Sequence, residues 1–178
     1  MWLKNLIALI LFYFFAVLQN SFFVHFTLLR VTPNLVFILF FLLVFFEGKK
    51  LSPTIIFYSV SAGFFLDIFS YTRLGISLFL LVALGLFIKI AQSFLKQGKD
   101  EYHYIYFLPL FLAGLVAYEL LVMFYLKIFD PAHIAMIINW RFLIDIAYNA
   151  VLASVIFWVY KKITGAYFDN RQLQLFKK

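Results

Sequence analysis

The chain has 178 residues, 66% of them apolar and 13% charged, with a net charge of +7. A soluble domain carries about 25% charged residues, so an ordinary soluble fold is excluded. Six spans of roughly 20 residues would use most of the apolar content, and the longest polar interval, Lys96 to His103, is too short to bury a core of its own. Large extramembrane catalytic machinery is thereby excluded. The lack of cysteine removes disulfides, thiolate nucleophiles and Cys-ligated metals.

The first apolar run, about Asn5 to Phe26, is too long for a signal-peptide core and has no small-residue cleavage pattern after it, so a retained helix is expected. The second opens at Pro33, with Thr32 placed to cap it, and ends at Phe46 before Glu47-Gly48-Lys49-Lys50. At ~1.5 Å per residue it reaches about 21 Å, against a hydrocarbon thickness of about 30 Å. Either the bilayer thins locally or partners shield its ends. The third run covers about Ser52 to Ser70 and the fourth Leu74 to Leu95, and the short Tyr71-Thr72-Arg73 link makes them an antiparallel hairpin. The fifth covers about Tyr104 to Phe129, with a bend expected at Pro109, and the sixth about Ile137 to Ile163, stopped near Gly165. The expected fold is an all-α integral membrane protein with six transmembrane helices. A single domain occupies 1–165, followed by a basic amphipathic tail at 166–178 suited to an anionic leaflet.

With a cytoplasmic N-terminus, the inner side receives Lys4, Lys49, Lys50, Lys89, Lys96, Lys99, Lys161, Lys162, Arg171, Lys177 and Lys178, eleven of the fifteen basic residues. The outer side receives Arg30, Arg73, Lys127 and Arg141. Both termini are therefore expected in the cytoplasm, and the positive charge reads as orientation and anionic-lipid contact, not nucleic-acid binding.

Charge inside hydrocarbon costs about 2.5 to 3.5 kcal/mol per residue even on the lenient insertion scale, so each such residue needs a partner or a use. Ser59, Gly63 and Asp67 recur at four-residue spacing on the third helix, a face that another helix, from this chain or a partner, can approach closely. Arg141, Asp145 and Asn149 repeat the spacing on the sixth, giving one stripe with a cation, an anion and an amide. An outer-leaflet polar cluster is expected, with Arg141 bridging Asp145 and Asp67 and with Gln19, Asn20 and Ser21 at similar depth. It can serve as packing glue or as a headgroup or ligand site. Glu119 stands apart as an isolated membrane carboxylate in the fifth helix. No GxSxG, HExxH or Walker-type loop occurs, His25, His103 and His133 lie in separate connections, and Ser93-Phe94-Leu95-Lys96 fits the letters of SxxK without its companion motifs. No catalytic, cofactor or metal site assembles.

The order of features resembles the MreD family of rod shape-determining membrane proteins. A Pro33-Asn34 pair opens the second helix, and Ala62-Gly63-Phe64-Phe65-Leu66-Asp67-Ile68-Phe69-Ser70 precedes Leu74-Gly75. Leu18-Gln19 and Asn149-Ala150-Val151-Leu152 lie late in the first and sixth helices. Where many members carry a proline after that asparagine, this chain has Ala153-Ser154. The resemblance implies a non-enzymatic scaffold of the bacterial elongasome in the cytoplasmic membrane, without a cofactor. Its implied partners are MreC and, in a larger complex, MreB, RodA and its transpeptidase. It also implies a fold similar to the S components of energy-coupling-factor transporters, which supplies the competing function, a vitamin-binding subunit. S components present small residues at four-residue spacing on their first helix, and here Phe12 separates Ala8 from Ala16.

Overall fold

The computed structural model describes residues 2–25, 27, 31–47, 52–69, 74–95, 104–129 and 140–175, with side chains of the last helix described to 162. Six helices follow in order: α1 (Trp2–Ser21), α2 (Leu35–Phe46), α3 (Pro53–Phe69), α4 (Ile76–Leu95), α5 (Tyr104–Phe129) and α6 (Trp140–Leu175). Four of them, α1, α4, α5 and α6, are long and apolar enough to cross a membrane, whereas α2 has 12 residues and α3 has 17. The six expected spans thus become four long helices and two short ones.

Lys4 at the start of α1 meets Glu47 at the end of α2, and Gln19 late in α1 meets Val36 at the start of α2. These two helices therefore run antiparallel between the same two levels. Lys89 of α4 reaches Glu47 as well, and Tyr104 at the start of α5 reaches Ser154 of α6. These contacts give the helices an up-and-down order.

The bundle is built around α2, which packs on α1, α3, α4 and α6 through its backbone neighbours and on α5 through its rings. Ten of its twelve residues are buried. A helix apolar all round can be buried on every side without stranding a polar side chain. Its phenylalanines form a ladder with α5: Phe37 to Phe111, Phe41 to Phe107 and Phe45 to Phe107, at centroid distances of 5.8, 5.7 and 5.2 Å, all edge-on. Phe157 of α6 closes the ladder 4.6 Å from Phe107. Each such pair contributes about 0.5 to 1.5 kcal/mol beyond its area, which matters where lipid would solvate an apolar side chain equally well.

Several sequence-based boundaries shift. α2 is capped by Asn34, whose Oδ1 accepts from the Phe37 amide at 3.0 Å, so Thr32 is not the cap and Pro33 precedes it. Asn34, one position after Pro33, offers a side-chain oxygen to the Phe37 amide, an acceptor that the proline ring lacks. α1 starts three residues earlier than expected and gives way to a turn at 22–25. α5 runs on through Pro109, and α6 passes Gly165 and continues to Leu175. A helical glycine costs only about 1 kcal/mol relative to alanine and does not by itself end a helix. The residues Arg30, Lys49, Lys50, Arg73, Lys96, Lys99, Lys177 and Lys178 and the side chains of 163–175 lie outside the described residues.

α3 and α4 form the closest pair. A Cβ placed on Gly63 would lie 2.3 Å from the Leu78 Cα and 2.6 Å from its nitrogen, and one on Gly85 would lie 2.7 Å from Ser59 Oγ. The first obstacle is backbone and cannot rotate away, while the second is a hydroxyl that can. Gly63→Ala is therefore expected to lower stability by about 1 to 3 kcal/mol and Gly85→Ala by clearly less. Thermal unfolding of both variants in one detergent checks the order, and equal losses would mean that α3 and α4 do not meet at Gly63.

Candidate functional site

The intramembrane polar residues gather at the two ends of α2, where a short helix in an apolar bundle leaves backbone groups that water cannot reach. An unsatisfied amide or carbonyl in that setting costs several kcal/mol. At the N-terminal end the Asn34 amide donates to Asn149 Oδ1 at 2.7 Å, the Phe37 amide to Asn34 Oδ1, and the Val36 amide to Gln19 Oε1 at 3.4 Å. Pro33 has no amide to satisfy. Asn149 is fully buried, and its Nδ2 donates to the Asp145 carbonyl at 3.0 Å and to Asp145 Oδ1 at 2.9 Å. One amide side chain thus joins α6 to the start of α2.

Beside it lies a second cap. Gly75 opens α4 with φ of +105°, a conformation glycine adopts freely, but it has no side chain to cap the helix. Asp67, eight residues earlier at the end of α3, supplies the acceptors. Its Oδ2 takes the Gly75 amide at 2.7 Å and the Leu78 amide at 3.4 Å, and its Oδ1 takes the Ser77 amide at 2.9 Å. A carboxylate at a helix N-terminus also faces the positive end of the dipole. Tyr118 of α5 donates to Ser77 Oγ at 3.1 Å and ties the fifth helix to this turn.

At the C-terminal end of α2 the signs reverse. Lys89 Nζ donates to the Glu47 carbonyl at 2.8 Å and to Gln92 Oε1 at 2.9 Å, and Gln92 Nε2 donates to the Phe45 carbonyl at 3.0 Å. Lys89 is only 4% exposed, so its ammonium sits against the negative end of the α2 dipole inside the protein. The Glu47 side chain, on the outside of this knot, pairs with Lys4 at 2.7 Å.

The sequence-predicted residues divide accordingly. Asp67, Asn34, Asn149 and Asp145 all lie at the end of the bundle where α2 and α4 begin. Among the described residues, however, they form two caps, and no salt bridge joins them. The expected bridge from Arg141 to Asp67 is replaced by backbone donors: Asp67 is satisfied by α4, Asp145 bonds Asn149, and Arg141 Nε is buried without a hydrogen-bond partner among the described residues. Backbone amides eight to eleven residues away reach Asp67 through one short turn, so the cross-bundle cation is not needed. Ser59 bonds the Ile55 carbonyl of its own helix, and the Ser59 and Gly63 face is covered by α4 of the same chain. Asn20 bonds its own Ala16 carbonyl. Glu119 is partly buried on α5, one residue past Tyr118.

Lys89 and Gln92 escaped the sequence reading, in which Lys89 counted only as an inner-side charge. Their i, i+3 spacing within an apolar run was the available signal, since it puts a cation and an amide on one face. No group of three or more His, Asp or Glu side chains is placed to hold a metal among the described residues.

Among the described residues, six packed helices with apolar outer faces, four of them long and apolar enough to cross a membrane, define a multi-pass α-helical membrane protein. A family model for the rod shape-determining protein MreD matches residues 1–163, and the chain belongs to the MreD family. Comparison with curated proteins and with solved structures gave no match.

The caps make two predictions. Asn149→Leu strands the Asn34 amide and Lys89→Met strands the Glu47 carbonyl and Gln92, so each is expected to cost about 1 to 3 kcal/mol. Unfolding of both variants in detergent measures this, and wild-type stability in either would remove that cap from the account. Asp67→Asn and Arg141→Gln act on separate groups and should add within about 0.5 kcal/mol in a double-mutant cycle. A larger coupling would restore the bridge between them.

Proposed function

We propose that the protein is a non-enzymatic scaffold in the bacterial cytoplasmic membrane, supporting rod-shape determination and lateral peptidoglycan synthesis by binding MreC. Through MreC it joins MreB filaments, RodA and its transpeptidase. The family match over residues 1–163 carries this reading. The structure supports a scaffold in a second way: Gln19, Asp67, Lys89, Gln92 and Asn149 serve as caps for the chain's own helices, an arrangement that stiffens a bundle. On α1, Ala8, Phe12 and Ala16 are buried within the chain, which leaves that stripe occupied and unsuited to docking a transporter partner. Both termini and the basic links around Lys49 and Lys99 face the cytoplasm in this reading, where anionic lipids meet them.

Affinity purification of the tagged full chain from a rod-shaped host tests the assignment. Recovery of an MreC-type protein with a single membrane anchor is expected, together with rounding of the cells when the chain is depleted. Recovery of an ATPase pair and a bound vitamin, without MreC, would instead identify a transporter subunit. Reporter fusions to the C-terminus should read cytoplasmic, and an external signal would reverse the orientation.

A further inference from the structure

Most of the charged groups that the helices carry into the bundle are satisfied by the chain itself. Asp67 takes amides of α4, Lys89 donates to Glu47 and Gln92, and Asp145 accepts from Asn149. Arg141 and Glu119 differ: among the described residues neither makes a hydrogen bond or an ion pair. A charge carried into a membrane protein without a partner points to a use outside the fold.

The two unpartnered groups lie on one seam. α5 packs on α6, and Glu119 of α5 is within electrostatic reach of Asp145 of α6. Arg141 precedes Asp145 by four residues, one turn or about 6 Å along the axis, and so shares its face. Asn149 binds the Asn34 amide, which puts Asp145 and Arg141 about 6 and 12 Å beyond the start of α2, toward the end of the bundle. Glu119 and Arg141 are both partly exposed, although Arg141 Nε itself is buried, so a small group can reach them from outside.

Within the chain these three groups compensate one another poorly. Arg141 and Asp145 have the spacing of a helical ion pair but in the weaker order, with the cation nearer the N-terminus, and no ion pair forms between them. Asp145 is engaged by Asn149, and Glu119 has a second carboxylate as its charged neighbour, which repels it. What the seam lacks is a cation between Glu119 and Asp145 and an anion at Arg141. A metal ion would supply only the first and an inorganic anion only the second, whereas a zwitterion supplies both. A primary ammonium offers three N–H donors to carboxylate oxygens, and the guanidinium fork matches a phosphate.

We propose that the seam of Glu119, Asp145 and Arg141 binds a phosphate ester bearing a primary ammonium, the chemistry of a phosphoethanolamine headgroup, with the ammonium between the two carboxylates and the phosphate on the guanidinium. A choline headgroup lacks the N–H donors and a glycerol headgroup lacks the cation. The site does not depend on which proteins the chain assembles with.

The full chain, delipidated in detergent, is titrated with phosphatidylethanolamine, phosphatidylcholine and phosphatidylglycerol of identical acyl chains, and bound lipid is measured by native mass spectrometry. The ethanolamine lipid is expected to bind about tenfold tighter than the other two, the difference made by its charge-assisted hydrogen bonds. Glu119→Gln should bring it down to the affinity of the choline lipid, whereas Arg141→Gln should weaken both alike, because both carry the phosphate. Asp145→Asn, which keeps an oxygen for Asn149, serves in place of Glu119→Gln should that variant fail to fold. Free O-phosphoethanolamine distinguishes the sources of the ligand: displacement of the bound lipid assigns the site to the soluble zwitterion, and lack of displacement assigns it to the lipid. Equal affinity of the wild-type chain for ethanolamine and choline lipids, or an ethanolamine preference that survives removal of either carboxylate, would overturn the site.

Discussion

A backbone group inside an apolar bundle has no water to bond, and the 12-residue α2 places both of its ends in that situation. Everything near the middle of the protein is arranged around this constraint. Each end receives side chains from other helices: amide oxygens of Asn149 and Gln19 where amides are unpaired, and the ammonium of Lys89 with the amide of Gln92 where carbonyls are unpaired. The choice of acceptors at one end and a cation at the other follows the helix dipole. Because these caps come from α1, α4 and α6, satisfying α2 also fixes the register of three neighbours.

Asp67 extends the same logic to α4. It is a charged residue in an apolar helix, which would ordinarily suggest a functional site. Here it makes three contacts with backbone amides and stands in for the side chain that Gly75 lacks. The glycine permits the tight reversal between α3 and α4, and the aspartate compensates for what the glycine cannot do. Gly63 completes the pair by letting the backbones touch at Leu78. The three residues Gly63, Asp67 and Gly75 are thus parts of one helical hairpin.

Between the two capped layers the protein relies on shape. Lipid is as apolar as a phenylalanine side chain, so burial alone does not drive association in a membrane and close packing must do so. The ladder of Phe37, Phe41, Phe45, Phe107, Phe111 and Phe157 supplies that packing along α2, α5 and α6. On α1 and α6 a single buried stripe suffices, Ala8, Phe12 and Ala16 on one and Asn149, Ala153 and Phe157 on the other. Small residues bring the backbones near, and one aromatic ring in each stripe fills the gap left between them.

The all-helical class, the apolar runs and the hairpin of α3 and α4 were legible from the sequence, because hydrophobic length and short polar links are local properties of a chain. Family membership was legible for the same reason: Pro33-Asn34 and the segment from Ala62 to Gly75 are contiguous signals. The residues Asp67, Asn34 and Asn149 also stood out as polar groups in apolar surroundings. Their partners did not. A carboxylate in a membrane helix can be satisfied by a cation, a backbone amide or a headgroup, and residue spacing cannot distinguish these without the position of the next helix. Only the tertiary structure placed the α4 amides beside Asp67 in preference to Arg141, and Lys89 beneath the last carbonyls of α2. Those contacts join residues 42 to 115 positions apart or turn on the geometry of one tight reversal, and they are decided by which helix lies against which.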